Sequence, residues 1–340
     1  MIRNSTKYQR LLNRRSIPGQ LIALNAKVAN LEEAEDIKYM LGAMDPLDAE
    51  YTSKCLSEAD RVKKYLEAFA SIRLQGSVTT NTHIRYHSDV DILTITEDFT
   101  TWEAGTAPSS LPNYQHDPVS TLRELRARSR RTIASEFPEV SISDKDRALS
   151  LSGGSLQRKV DVVTANWYHT ATYIQTQAEK DRGVQVLSTD TGSRVLNLPF
   201  LHQQRLIEKD AATGDGLGRA VRLLKTLKAD ASSDIEISSY DICALVWNMG
   251  NDSLPGGEDH SIRLANNCAS FLLGLVTNEA RLNSLYVPNG TRSIIGAEGT
   301  TLIAVRALWY ELHQLLEAIK KVGKELDRRY FVSGRSLVPY

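Results

Sequence analysis

The chain is poor in cysteine. Cys55, Cys243 and Cys268 are the three in 340 residues, an odd number at wide spacings with no Cys-x-x-Cys pair. That excludes a disulfide framework or a zinc ribbon and fits reduced thiols. Net charge is also lacking, since 41 lysines and arginines face 41 aspartates and glutamates. A polycationic nucleic-acid coat protein and a disordered acidic tail are both excluded. Long apolar runs are missing too. The longest, around Phe271 to Val276, cannot span a bilayer, and the opening MIRNSTKYQRLLNRRS has no apolar core of signal-peptide length. The expectation is a cytoplasmic protein with no membrane association. Internal repeats and low-complexity tracts are likewise absent.

What is present is a globular composition, 41% hydrophobic, enough for about two cores at roughly 150 residues per domain. The first residues carry Arg3, Lys7, Arg10, Arg14 and Arg15 without an acid, a basic helix or arm. Val62, Tyr65, Leu66 and Phe69 recur at helical spacing, and Ile72 and Leu74 then alternate with polar neighbours, so the chain reads helix, strand, Gly76-Ser77. Val90 to Ile95 reads as a second strand, Leu122 to Phe137 as a helix bearing Arg123, Arg126, Arg128, Arg130 and Arg131, and Val160 to Val163 as a third strand. Those arginines either hold phosphates or form a solvated face. After Pro199 helical periodicity dominates, as in Leu217, Val221, Leu224, Leu227 and again in Leu308, Leu312, Leu315, Ile319. From Ala229 to Ile262 the charges are all acidic, a poor surface for a phosphodiester backbone.

Three features carry chemistry when taken together. Gly76-Ser77 follows a strand, where a glycine lets a polyphosphate approach the backbone and a helical turn beyond it would aim N–H groups and the Ser77 hydroxyl at the phosphates. Alone it is an ordinary turn dipeptide. Asp89-Val90-Asp91 enters the next strand, and the period of two puts both carboxylates on one face while Val90 turns to the core. Side by side they repel unless a cation sits between them, and hard oxygen ligands suit Mg²⁺. A solvated turn is the plain alternative. Asp161 stands among branched apolar residues in a later strand and needs a partner there, either a metal or a salt bridge to Arg158 or Lys159.

Glycine-serine, then Asp-x-Asp, then a lone strand aspartate resembles the DNA polymerase beta-like nucleotidyltransferases. Gln75-Gly76-Ser77 through Thr82-x-Ile84-Arg85 to Ser88-Asp89-Val90-Asp91-Ile92 is similar to the core motif of the cGAS/DncV-like nucleotidyltransferases, the CD-NTases. Downstream, Arg222-Leu223-Leu224-Lys225 on a helix and Ser239-Tyr240 after it agree, and Pro199 and His202 sit in a similar helix lead-in. The resemblance covers Glu58 to Tyr240. Thr164 departs from it, standing where relatives often have a proline that bends the strand.

The resemblance implies an α+β fold. A polymerase beta-like nucleotidyltransferase core, a mixed sheet with helices, would occupy residues 1–200 with the N-terminal helices. A C-terminal helical domain over 201–340 would complete the nucleotide pocket. It implies a synthase that joins ATP and other NTPs into a cyclic di- or trinucleotide second messenger in bacterial anti-phage signalling, with release of pyrophosphate and a downstream effector reached through the product. Asp89, Asp91 and Asp161 would be catalytic and would ligate two Mg²⁺ ions, for which Mn²⁺ can substitute. Gly76, Ser77, Lys225 and Ser239 would hold the donor triphosphate, and Tyr240 would stack on a base. Read without the resemblance, Lys225 is equally a solvated lysine and Tyr240 a core residue. The zinc-binding insertion of the animal DNA sensor is missing, so no long-DNA binding is expected; a protein regulator is an open partner. The rival functions are transfer of a single nucleotide to a small molecule, protein or RNA end, and a catalytically inactive nucleotide-binding module.

Overall fold

A computed structural model describes Lys7, Arg10, Leu11 and residues 35–85, 90–109, 114–297 and 299–332, with side chains to 322 in the last helix. The rest of the basic N-terminal segment lies outside the described residues.

Helices α1 (Glu35–Met44) and α2 (Ala49–Leu66) come first, followed by β1 (Ser71–Gln75) and the long β2 (Val90–Trp102). Helix α3 (Pro118–Glu136) leads to the hairpin β3 (Ser141–Asp144) and β4 (Leu149–Ser152), then to β5 (Val160–His169). Asp48 and Asp117 cap α2 and α3, each accepting a backbone N–H three residues on. The short α4 (Ala171–Thr176), β6 (Gly183–Ser188) and β7 (Ser193–Asn197) finish the sheet region.

The strands form one mixed seven-stranded sheet in the order β1-β2-β5-β4-β3, with β6 on the far half of β5 and β7 beyond it. The centre is the parallel pair β2 and β5, joined through α3 and the hairpin. Its two faces follow from the period of two. Val90, Ile92, Val160 and Val162 turn under α2 and α3, where they pack with Ala59, Val62 and Ile133. Leu93, Ile95, Val163, Ala165 and Trp167 turn the other way, against Val184, Val186 and Phe200. The β2–β5 register runs through Thr164 unbroken, opposite Thr94.

Of the α3 arginines, Arg126 is buried while Arg123, Arg128, Arg130 and Arg131 lie on an exposed face, and three make contacts within the fold. Buried Arg126 donates to the carbonyls of Lys145, Asp146 and Ala148 in the hairpin turn, Arg130 pairs with Asp144, and Arg128 lies 4.2 Å from the centre of the Phe69 ring.

The second core is helical, from α5 (Pro199–Ala212), α6 (Gly216–Asp230), α7 (Ser239–Trp247), α8 (Ser261–Val276), α9 (Glu279–Asn283) and α10 (Leu302–Val332). Helix α6 runs through its middle and is buried on nearly every side. Its first residue must be glycine, since a Cβ on Gly216 would lie 2.1 Å from the Leu254 carbonyl oxygen. Leu11, Tyr39, Met40 and Met44 join this cluster, so α1, which the sequence reading groups with the catalytic core, packs on the helical side. The two cores meet along a cleft between the starts of β2 and β5 and the helices α5, α6 and α7.

Candidate active site

The floor of the cleft is a row of side chains across the sheet. Gln75 lies opposite Asp91 in the antiparallel β1–β2 pair, Asp91 opposite Asp161 in the parallel β2–β5 pair, and Asp161 opposite Ser150. Register neighbours point to the same face, so the two carboxylates stand side by side, facing away from α2 and α3. Asp161 is largely buried. Its Oδ2 is 3.3 Å from Lys159 Nζ and 3.8 Å from Lys145 Nζ, while its Oδ1 is buried with no hydrogen-bond partner. Of the two partners offered for Asp161, Lys159 makes the salt bridge; Arg158 lies over the Tyr51 ring, 4.5 Å from its centre.

Asp89 lies outside the described residues. Among the described residues no group of three or more His, Cys, Asp or Glu side chains gathers around one point; Asp91 and Asp161 are the described pair. They suit a hard divalent cation: adjacent oxygen donors, one of them orphaned in a buried position where an unpaired acceptor is costly.

One side of the cleft is the turn after β1. Gly76 has φ 94°, in the left-handed region that favours glycine. The following residues form hydrogen-bonded turns rather than a regular helix, with Thr82 N donating to Ser77 O at 3.0 Å and Thr79 Oγ1 to Gly76 O at 2.7 Å. Helix α6 clamps the end of this loop. Arg222 donates Nη1 to Asn81 O at 2.6 Å and Nε to Met44 O at 2.8 Å, and Lys225 donates Nζ to Thr82 O at 2.9 Å. Both cations are buried. Burial pushes Arg222 down to about 10 and lowers Lys225 from the ordinary lysine value. A cation held in low dielectric at a cavity wall favours an anion beside it.

The opposite side comes from the end of β7 and the starts of α5 and α7. Ser238 caps α7 by accepting from Asp241 N, which leaves Ser239 and Tyr240 in the first turn, at the positive end of the helix. Tyr240 stacks on His202, with ring centres 4.2 Å apart and planes 16° apart. Arg292 lies 5.4 Å from the Tyr240 ring centre and is tied to Asp241 at 2.7 Å. Burial first, then Arg292, lowers His202 to about 4, so its imidazole is neutral at physiological pH.

These walls enclose a cavity of about 340 Å³. Gly76, Ser77, Asp91, Lys225, Ser239 and Tyr240 all line it, so six of the eight residues singled out in the sequence converge there; Asp161 adjoins through its register with Asp91. Among the described residues, Asp91 and Lys225 are its charged lining residues. A second cavity of about 610 Å³ shares Gln75, Asn197 and Tyr240 with the first and adds Arg147, Val163, Leu196 and Arg292. The first cavity also takes Asn197, His202 and Gln203. Beyond the Pro199 and His202 lead-in these carry no motif, because strand ends and single polar residues on a helix have no periodic signal.

Carboxylates of two parallel strands side by side, next to a glycine-led turn and a buried lysine, fit a nucleotidyltransferase. The comparisons narrow this class. The cGAS/DncV-like nucleotidyltransferase C-terminal helical domain matches residues 204–317. The chain is 34% identical over 307 residues to the cyclic dinucleotide synthase CdnE of Yersinia aleksiciae, across 88% of this chain and 78% of the relative. To the c-di-GMP synthase of Capnocytophaga granulosa it is 28% identical over 308 residues, 82% of this chain and 87% of the other. The solved structure of the STING-associated CdnE c-di-GMP synthase from Capnocytophaga granulosa superposes with a TM-score of 0.76 at 26% identity, covering 93% of this chain and 98% of that one. The CdnE cyclic dinucleotide synthase of Elizabethkingia meningoseptica, at 0.61 and 21%, supports the fold alone. The chain belongs to the cGAS/DncV-like nucleotidyltransferases. No helix among the described residues is long and apolar enough to cross a membrane.

Proposed function

We propose that this enzyme condenses two ribonucleoside triphosphates into a cyclic dinucleotide, releasing pyrophosphate at each bond. The observation that carries the reading is the pair of contiguous cavities that share Gln75, Asn197 and Tyr240. Each is within the size range of a small-molecule site; Asp91 lines the first, and Val163, two residues past its neighbour Asp161 on the same face, lines the second. A synthase needs two nucleotides at once, with the hydroxyl of one beside the α-phosphate of the other.

In this reading the donor triphosphate lies in the smaller cavity, between Gly76-Ser77 and Lys225 with Ser239, and its base rests against Tyr240. The acceptor occupies the larger cavity. Its ribose oxygen attacks the α-phosphorus, the bond to the β-phosphate oxygen breaks, and Asp161 is placed to take the hydroxyl proton. Lys225 and the α7 N-terminus steady the departing pyrophosphate. Asp91 and Asp161, with Asp89, would hold two Mg²⁺ or Mn²⁺ ions. When bound, such ions neutralise charge on the phosphates and acidify the attacking hydroxyl. Rotation of the linear product, so that its triphosphate enters the smaller cavity, allows the second bond to close the ring.

An effector responding to the cyclic product is supported by the STING-associated relative, and a cytoplasmic anti-phage signalling role is part of the proposal. Because c-di-GMP synthases and a cyclic dipurine nucleotide synthase are among the relatives, guanine is the first base to test. Purified enzyme incubated with labelled NTPs and Mg²⁺, without other acceptor, yields a phosphatase-resistant product whose mass is that of a cyclic dinucleotide. Labelled monophosphate linked only to added small molecules, protein or RNA would overturn the reading.

A further inference from the structure

The carboxylate row carries two ammonium groups that the reaction above does not use. Lys159 and Lys145 both approach Asp161 Oδ2, at 3.3 and 3.8 Å, and leave the buried Oδ1 unpartnered. The fold delivers both. Lys159 precedes β5, two residues from Asp161 and hence on its face, and its carbonyl accepts the Val90 N–H at 3.3 Å, joining the starts of the two strands. Lys145 sits in the β3–β4 turn, closed by its own N–H to Ala148 O at 2.9 Å. That turn is locked from two directions. Arg126 reaches up from α3 to three of its carbonyls, and the Asp146 carboxylate accepts from Ser188 Oγ at 2.8 Å and Asp190 N at 3.0 Å. Asp144, the neighbouring acid, is already paired with Arg126 and Arg130. Lys145 is thus aimed at Asp161 rather than at its own hairpin.

Two positive charges on one oxygen repel a dication approaching the other, and the repulsion matters most where water is excluded. A triphosphate reverses the balance by bringing several negative charges into the same cleft. We propose that Lys145 and Lys159 are positioning residues that act as resident counter-cations of Asp161: they hold Oδ2, keep divalent metal weakly bound in the empty enzyme, and so make metal loading depend on the nucleotide. This rests on the reading of Asp161 as a metal ligand. The lysine stems are long enough to turn toward phosphate once the triphosphate is seated.

The test is Mn²⁺ binding to the full-length protein, read from the loss of the free-ion electron paramagnetic resonance signal. Without nucleotide, Lys145→Gln/Lys159→Gln binds Mn²⁺ about tenfold or more tightly than wild type, and the difference shrinks in high salt. Lys159→Arg behaves as wild type. With a non-hydrolysable nucleoside triphosphate present, the gap between wild type and the double variant closes to about twofold. The lysines are 49% and 31% exposed, and an unchanged melting temperature verifies the fold. Equal nucleotide-free affinity in wild type and the double variant, or no binding in either, overturns the proposal. Adding Asp161→Asn to the double variant abolishes the gain; a gain that survives it would instead overturn Asp161 as a ligand.

Discussion

The two walls of the cleft are built by opposite means. On the helical side Arg222 and Lys225 are buried and spend hydrogen bonds on the carbonyls of Asn81 and Thr82. The turn that would face the triphosphate in the proposed reaction is thereby pinned to α6, which is buried on nearly every side. On the strand side the larger cavity is lined by Val163, Val186, Val195 and Leu196, with Arg147 and Arg292 as its charged members; Leu196 is 40% exposed. A triphosphate has the same shape on every nucleotide and can be met by a fixed wall. In the proposed reaction the partner nucleotide must be admitted, turned and released, which suits an open wall of strand ends and loops. Gln75, the register neighbour of Asp91, lines both cavities.

Breaking the carboxylate row has the largest effect. Asp91→Asn keeps the shape of the side chain and removes one charge, and a metal site is worth several kcal/mol of transition-state stabilisation. Synthesis should fall by on the order of 10³-fold or more, measured as pyrophosphate release. The melting temperature should stay level or rise slightly, because a like-charge neighbour of Asp161 has been removed. Asp89→Asn should behave similarly in rate.

Lys225→Met tests the fixed wall. It removes a charge-assisted donor and leaves the Thr82 carbonyl without it, so affinity for a non-hydrolysable triphosphate should drop about 10- to 100-fold in calorimetry, the size of such a bond, ~1.5–3 kcal/mol. If affinity is unchanged, the lysine is a strut for the loop and nothing more. Tyr240→Ala, at the boundary of the cavities, should cost about 1–3 kcal/mol of base stacking, while Tyr240→Phe, which keeps the ring, should cost little.

The sheet side was legible where period and charge coincide. Asp161 announced itself as a single acid in a β-branched run and Asp91 as half of Asp-x-Asp at a strand start; that the two stand side by side came only from the parallel register of β2 and β5. Strand β3 was not legible: Ser141–Asp144 is exposed along most of its length, and the four-residue alternation of β4, with Leu149 and Leu151 buried, is too short to mark the hairpin whose turn supplies Lys145. Strand β7 has the same weakness, and with it Asn197 was missed. The arginines of α3 showed their number but not their targets, because backbone carbonyls leave no trace in composition. His202 was noticed only beside Pro199; its role depends on Tyr240, on another helix, which no local pattern reports.

That stack gives the smallest and most specific prediction. His202 is held near 4, against an ordinary value of 6.5, chiefly by burial; His83, near 4 as well, is shifted by burial and then by Lys225 and Arg222. Both are neutral in the folded protein and take up protons on unfolding below 6.5. The unfolded state therefore binds more protons between about 6.5 and 4, so the stability these groups contribute is whole above 6.5 and is lost progressively as pH falls toward 4. Urea midpoints measured at pH 7 and pH 5 should show wild type losing stability on acidification. His202→Gln should lose less over the same interval, because one of the three histidines held near 4, the others being His83 and His169, has gone. If His202→Gln shows the full wild-type loss, the imidazole on Tyr240 is not shielded as the 4.2 Å stack requires, and the helical wall is wetter there than its other contacts imply.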